Sequence, residues 1–288
     1  MKMAKALTLL MVLLLTLGLM ACDSEPGSNP DPSSGDNNDE GQCEEVSIEE
    51  QTLVDQDGII ITATKIDASW MGPELQVLIE NNSDTSVTVQ ARNTSVNGFM
   101  LEPIFSSDVA SGKKATDTLT FSSEDFQVCN IETIADIELS FHVFDTDSWD
   151  TIFDTDMVTV ETSAAATYTQ DYDTSGDVIL DQDGIKVIYQ GMSENIFGPT
   201  VDLFIENNTD TAFTIQARDT SVNGFMIEPT FSSDIMPGKK AVTDLTFFDS
   251  DFEDNGIETA TDIELSFHIF NMDSWNTILD TEPIQINP

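Results

Sequence analysis

Polar and apolar residues alternate along the clearest stretches of the chain. Ile137, Leu139, Phe141 and Val143 share one face, with Glu138, Ser140 and His142 on the other, a period of two that predicts a strand buried on one side. The same alternation recurs in Ile263, Leu265, Phe267 and Ile269 against Glu264, Ser266 and His268. Further strands are predicted at 59–66, 75–80, 86–92, 99–105, 116–121 and 151–160. Turn signals separate them at Asp57-Gly58, at 82–84, at Asn97-Gly98 and at Ser111-Gly112. Only residues 122–132 read as a short helical turn.

This pattern is written twice. Residues 53–161 align with 179–287 at a constant offset of 126, without a gap. Within 90–108 and 216–234, 16 of 19 positions are identical, so one folded unit has been copied whole. Seven or more short strands in about 115 residues predict an all-β fold, a two-sheet sandwich of the immunoglobulin-like kind. Each copy is large enough to bury something over 60% of the surface its unfolded chain exposes. The expected domains are 43–162 and 169–288. The segment between them, 162–169, carries no charge, Pro or Gly, which predicts a fixed angle rather than a free hinge.

The start of the chain has a different character. Lys2 and Lys5 precede an apolar run over 6–19 that is shorter than the roughly 20 residues a spanning helix needs. The run ends in Leu19-Met20-Ala21-Cys22, which resembles the lipobox of bacterial lipoproteins. That resemblance implies a signal peptide over 1–21, a diacylglycerol on Cys22 and an extracytoplasmic protein anchored to the cell membrane by lipid. Residues 23–42 are Ser, Pro, Gly, Asn, Gln and acid, too polar to offset chain entropy by burial, and predict a tether with a span of roughly 25 Å. Within each repeat, the sequence VNGFMLEPIFSSDVASGKKATDTLTFSSEDF, with IENNSD upstream and ADIELSFHVF downstream, is similar to the immunoglobulin-like extracellular domains of uncharacterised bacterial lipoproteins. The resemblance implies a β-sandwich outside the membrane and brings no catalytic residues with it.

Charge narrows the partners. The net charge is −43, or −45 once Lys2 and Lys5 leave with the leader, which disfavours nucleic acid and anionic lipid surfaces. It raises the question of calcium, for which Asp55, Asp57, Asp181 and Asp183, and the group Asp145, Asp147, Asp150 and Asp154, are candidates. The later ligands of an EF-hand loop do not follow the DQDG segments, and an Asp-Gly hairpin turn explains them more simply, so no metal or other cofactor is assigned.

Candidate chemistry is sparse. His142 and His268 are the only histidines and read as surface imidazoles beside Glu138 and Ser140 or their copies. No nucleophile elbow or phosphate-cradling glycine loop appears, so no enzyme is expected. Trp149 and Trp275, each in an Asp-Ser-Trp segment between the last two strands, are either exposed contact residues or caps over the end of the core. Arg92 and Arg218, with Lys113, Lys114, Lys239 and Lys240, are either anion contacts or structural. Arg92 would then satisfy a carboxylate such as Glu80, and the lysines would protect an edge strand. The expected function is a non-enzymatic, lipid-anchored surface protein binding a protein or an envelope polymer. The alternative is an extracytoplasmic small-ligand or calcium-binding lipoprotein. Cys43 and Cys129 both lack a counterpart in the second copy, where Thr169 and Asn255 stand, and joint absence predicts a disulfide. Mass spectrometry of unreduced peptides is expected to find Cys43 linked to Cys129; two free thiols would refute the pairing.

Overall fold

The computed structural model describes residues 46–288. The leader, Cys22, the tether and Cys43 lie outside them. In the first repeat the strands are β1 Gln51–Gln56, β2 Ile59–Ala68, β3 Pro73–Asn81, β4 Val87–Val96, β5 Phe99–Met100, β6 Ser106–Val109 and β7 Lys114–Thr120. Helix α1, Ser123–Val128, leads to β8 Asp136–Asp145, β9 Thr151–Asp154 and β10 Val158–Glu161. The second repeat follows with β11 Asp177–Gln182, β12 Ile185–Asn195, β13 Gly198–Asn207, β14 Phe213–Val222, β15 Phe225–Met226, β16 Ser232–Ile235 and β17 Lys240–Thr246. Helix α2, Asp249–Asn255, and strands β18 Ile263–Asn271, β19 Thr277–Asp280 and β20 Ile284–Ile286 complete it.

Each repeat is a two-sheet sandwich of the immunoglobulin-like kind. In the first, β1-β2-β3-β7 form one sheet; β4 and β8 form the centre of the other, flanked by β5 and β6 on one side and by β9 and β10 on the opposite side. The alternating residues meet between the sheets: Ile61, Val77 and Leu119 face Val89, Leu139 and Phe141, all completely buried. The second repeat builds the same core from Val187, Leu203 and Leu245 against Ile215, Leu265 and Phe267.

Two predicted strands are broken, each for a local reason. The stretch 99–105 holds β5, then leaves the sheet where Pro103 has no N–H to give, and Ile104 bridges instead to Thr120. The stretch 151–160 divides into β9 and β10 because the Thr155 hydroxyl takes the Phe141 N–H at 2.8 Å in place of a backbone acceptor. Strand β1 lies outside the predicted set; it is an edge strand that buries only Val54 fully. The expected turns form, with Asp57 and Gly58 at φ 50° and 82° and Asn97 and Gly98 at 50° and 83°, the pair of positive values a two-residue hairpin turn needs. The helical turn also forms, capped by the Ser122 hydroxyl accepting from Glu124 N–H in the first repeat.

The two repeats share one continuous sheet. Strand β5 pairs with β17 in parallel at Phe99 and Lys240, through the Lys240 N–H and the Gly98 carbonyl at 2.9 Å, so the second sheet of the first repeat runs into the first sheet of the second. Phe99 is completely covered against Phe204 and Tyr172, edge-on to both, while Tyr172 stacks on Phe204 at 5.6 Å and 10°. Lys239 Nζ reaches Glu138 at 2.5 Å, and Lys240 Nζ sits 4.8 Å over the Tyr172 ring. The connecting segment is stitched back onto the first repeat. Thr162 Oγ1 donates to Ile134 O, and the Gln170 amide donates to the Cys129 and Asn130 carbonyls while accepting from Asn97 Nδ2. These contacts would hold the angle between the repeats that the uncharged connection leads one to expect.

A buried amide closes one end of each sandwich. Asn207 Nδ2 donates to the Thr211 and Ile235 carbonyls, and its Oδ1 accepts from Thr209 N–H and hydroxyl; Asn81 does the same in the first repeat. Removing the amide strands one buried and one half-buried carbonyl, so Asn207→Ala is expected to cost roughly 3 kcal/mol in equilibrium denaturation. Asn208→Ala, on the exposed neighbour, should cost no more than about 0.5 kcal/mol.

Candidate functional site

The outer face of the β4–β8 sheet carries the residues that the core does not need. Register places Thr88 opposite Phe144, Gln90 opposite His142 and Arg92 opposite Ser140, with Asp154 of β9 next to His142 on the far side. The side chains form a row. His142 Nδ1 meets Asp154 Oδ1 at 2.6 Å, the imidazole lies 5.2 Å from the Phe144 ring, and Phe144 is stacked under Trp149 at 5.5 Å and 18°. The second repeat repeats it: His268 on Asp280 at 2.5 Å, His268 to Phe270 at 5.2 Å, and Phe270 under Trp275 at 5.5 Å and 16°.

Trp149 and Trp275 therefore do not cap the end of the core. Each loop folds its indole back over the outside of the sheet, hiding the Phe beneath while remaining 76% and 74% exposed itself. The backbone that achieves this is strained. Trp149 and Trp275 have φ 66° and 60°, a left-handed conformation that bulky L-residues rarely adopt and that Gly or Asn would take at less cost. The strain is held locally. Asp145 Oδ1 accepts from the Asp147 and Ser148 N–H groups, both at 2.9 Å, and Trp149 N–H donates to Asp145 O. In the second repeat Asn271 Oδ1 does the same without a charge, accepting from Asp273 and Ser274 N–H.

The remaining sequence candidates sort differently from expectation. Arg92 does not reach Glu80, which pairs instead with Lys114 at 2.8 Å; its guanidinium donates to Gln90 Oε1 at 2.7 Å and so lies on the Trp149 face. Arg218 holds the equivalent place on β14, opposite Ser266. The histidines are half-buried and paired with aspartates, not free on the surface beside Glu138 and Ser140. Lys113 and Lys114 stand exposed at the free edge of β7, as edge protection predicts, whereas Lys239 and Lys240 are taken into the junction. Asp57 belongs to its hairpin turn, and Asp145 is engaged by its own loop. Among the described residues no group of three or more His, Cys, Asp or Glu is arranged to hold a metal ion.

Cys129 caps the C-terminus of α1 and is almost completely buried. Burial raises its thiol pKa to about 12, with the Asp125 charge adding and the Val242 N–H opposing. Its expected partner, Cys43, lies outside the described residues.

Two features escaped the sequence reading. The β2–β3 hairpin exposes Trp70 and its counterpart in the second repeat exposes Ile196, each 91% accessible. The glycine two positions on is the signal, since the chain at Gly72 passes so close to the β7–α1 connection that a Cβ would sit 2.3 Å from the Phe121 carbonyl. A cleft of about 750 Å³ also opens at the junction, lined by Glu102, Glu124, Asp125, Asp173, Glu194, Asp202 and Asp244 with no basic side chain. Burial raises the Asp125 pKa there, with Glu124 contributing.

The Asp145 loop gives a pH test. Hydrogen bonds from the Ser148 and Asp147 N–H groups lower the Asp145 pKa below its ordinary carboxylate value of 3.8. Its contribution to holding Trp149 is thus present above that value and lost as pH falls through the lower folded one. Trp149 fluorescence, read with Trp70 and Trp275 replaced by Phe, is expected to shift reversibly on acidification below about pH 4. The shift should vanish in Asp145→Asn, which copies the uncharged loop of the second repeat.

No family model matches the chain, and no curated protein matches it. Among solved structures, the YadV chaperone is 14% identical, with 80% of this chain and 100% of that chain covered and a TM-score of 0.25. The complex of Salmonella enterica SafA pilin with the SafB chaperone is 10% identical, covering 83% of this chain and 100% of that one at TM-score 0.23. The CsuC–CsuE chaperone–tip adhesion subunit pre-assembly complex of Acinetobacter baumannii is 12% identical, covering 74% and 90% at TM-score 0.21. What classifies the chain is its own strand order, that of two tandem immunoglobulin-like β-sandwiches.

Proposed function

We propose that the chain is a non-enzymatic protein, held at the cell surface by a lipid on Cys22, that binds a surface protein or an envelope polymer through two equivalent faces. The observation that carries this reading is the duplicated indole. Trp149 and Trp275 are both held at strained, left-handed backbone positions, both stacked on a phenylalanine, and both left about three-quarters exposed. A flat aromatic surface flanked by Gln90, Arg92 and the His142–Asp154 pair offers stacking beside hydrogen-bond donors and acceptors. Two such faces on one rigid chain bind a repeating target more tightly than either alone, by effective concentration. The extracytoplasmic location and the disulfide between Cys43 and Cys129 belong to the same proposal. A second reading, a small cationic ligand, is favoured by the carboxylate-lined cleft at the junction.

The test is capture from native cell envelopes by the chain, beside a Trp149→Ala, Trp275→Ala variant that melts at the same temperature. Capture of a protein or polymer by the parent is expected to fall at least about tenfold in the variant, since removing an exposed aromatic anchor from each face costs on the order of 2 kcal/mol. Capture retained by the variant would overturn the assignment to these faces. Stoichiometric binding of a small cation in calorimetry, with no envelope capture, would favour the cleft.

A further inference from the structure

The junction between the repeats has a free half at each end of the molecule. Its inserted part is the hairpin Val96-Asn97-Gly98-Phe99-Met100, and the second repeat carries the same five residues as Val222-Asn223-Gly224-Phe225-Met226. The hairpins are built alike, each with positive φ at its Asn and Gly and the same pairing to the neighbouring strand. Their surroundings differ. Phe99 is covered, whereas Phe225 is 45% and Met226 70% exposed.

The receiving part is the start of β17 with the outward residues beside it, and β7 is its copy in the first repeat. There the edge is taken at its far end by Ile104 on Thr120 but is unpaired at Lys114 among the described residues, and Lys113 and Lys114 are exposed. Among the differences between the receiving faces are Tyr172, where the same offset gives Val46, and three apolar strand positions. Ile188, Phe204 and Val242, which pack against the first repeat, correspond to Thr62, Leu78 and Thr116. The polar half is retained, because Lys113 stands where Lys239 does and Glu264 where its partner Glu138 does.

From these two unmatched halves we infer that the Phe225–Met226 hairpin of one molecule docks on the β7 edge of the first repeat of a second copy. The contact reproduces the internal junction without its Tyr172: the Lys114 N–H donates to the Gly224 carbonyl, Phe225 lies on Leu78, and Lys113 pairs with Glu264. It is heterologous, so each molecule offers both halves and association continues end to end rather than closing as a symmetric dimer. Thr62, Leu78 and Thr116 make it weaker than the internal junction, and the net charge opposes it at low salt. Anchoring on a membrane would raise the local concentration at which it operates.

The experiment is sedimentation equilibrium of the chain from residue 22 with Cys22→Ser, in about 0.5 M salt to screen the charge, up to about 0.5 mM protein. The weight-average mass is expected to rise with concentration in the parent. It should stay at the monomer value in Phe225→Asp, an exposed position whose variant should melt unchanged. Grafting the receiving face as Thr62→Ile, Leu78→Phe and Thr116→Val should tighten association at least about tenfold. Lys113→Glu should weaken association, and adding Glu264→Lys should restore it. A parent that remains monomeric throughout overturns the proposal, even if the grafted variant associates, since the hairpin's occupant would then not be a second copy. Association that survives Phe225→Asp overturns it equally.

Discussion

The arrangement of this molecule depends on one insertion, that of Phe99 edge-on against the stacked Tyr172 and Phe204 rings, with the Lys240 N–H bonded to the Gly98 carbonyl. Covering a phenylalanine is worth about 1.5–3 kcal/mol, and each aromatic pair adds about 0.5–1.5 kcal/mol. More than stability follows from it. The insertion joins a sheet of one repeat to a sheet of the next, draws Lys239 and Lys240 off the surface, and pins the connecting segment through Gln170. The two tryptophan faces, each built on the β4–β8 sheet or its copy, are consequently parts of one body.

Duplication supplies the faces, and divergence between the copies supplies the junction. Where the first repeat has Thr62, Leu78 and Thr116 on outward positions, the second has Ile188, Phe204 and Val242, and these cover Phe99 and its neighbours. The Trp loops diverged at three positions, Asp145, Thr146 and Asp150 becoming Asn271, Met272 and Asn276, while the hydrogen bonds to the next backbone amides stayed. A geometry kept while its chemistry changes is what a requirement on the indole position produces. That requirement has a backbone cost, since a tryptophan is held at positive φ in both copies.

Much of the fold was legible in the sequence because alternation and turn chemistry are local. The core faces of β4 and β8, the Asn-Gly and Asp-Gly hairpins and the short helix all follow from residues a few positions apart. The breaks inside 99–105 and 151–160 were less so, since they turn on Pro103 and on a threonine hydroxyl that substitutes for a backbone acceptor. The site was half legible. Its residue types and loop could be named, but the direction of the indole depends on the sign of φ at Trp149, which no propensity encodes. The structural alternative for Arg92, a carboxylate such as Glu80, fails because strand register gives Glu80 to Lys114. The junction did leave a trace, in Thr62 and Thr116, outward positions that become the apolar Ile188 and Val242 on the equivalent strands.

The claim that both faces belong to one rigid body is tested most directly by residual dipolar couplings of backbone amides in a weakly aligned sample. The account predicts that a single alignment tensor fits the amides of both repeats. Two tensors of different magnitude would mean that the repeats move independently, and the insertion of Phe99 would then not govern the arrangement in solution.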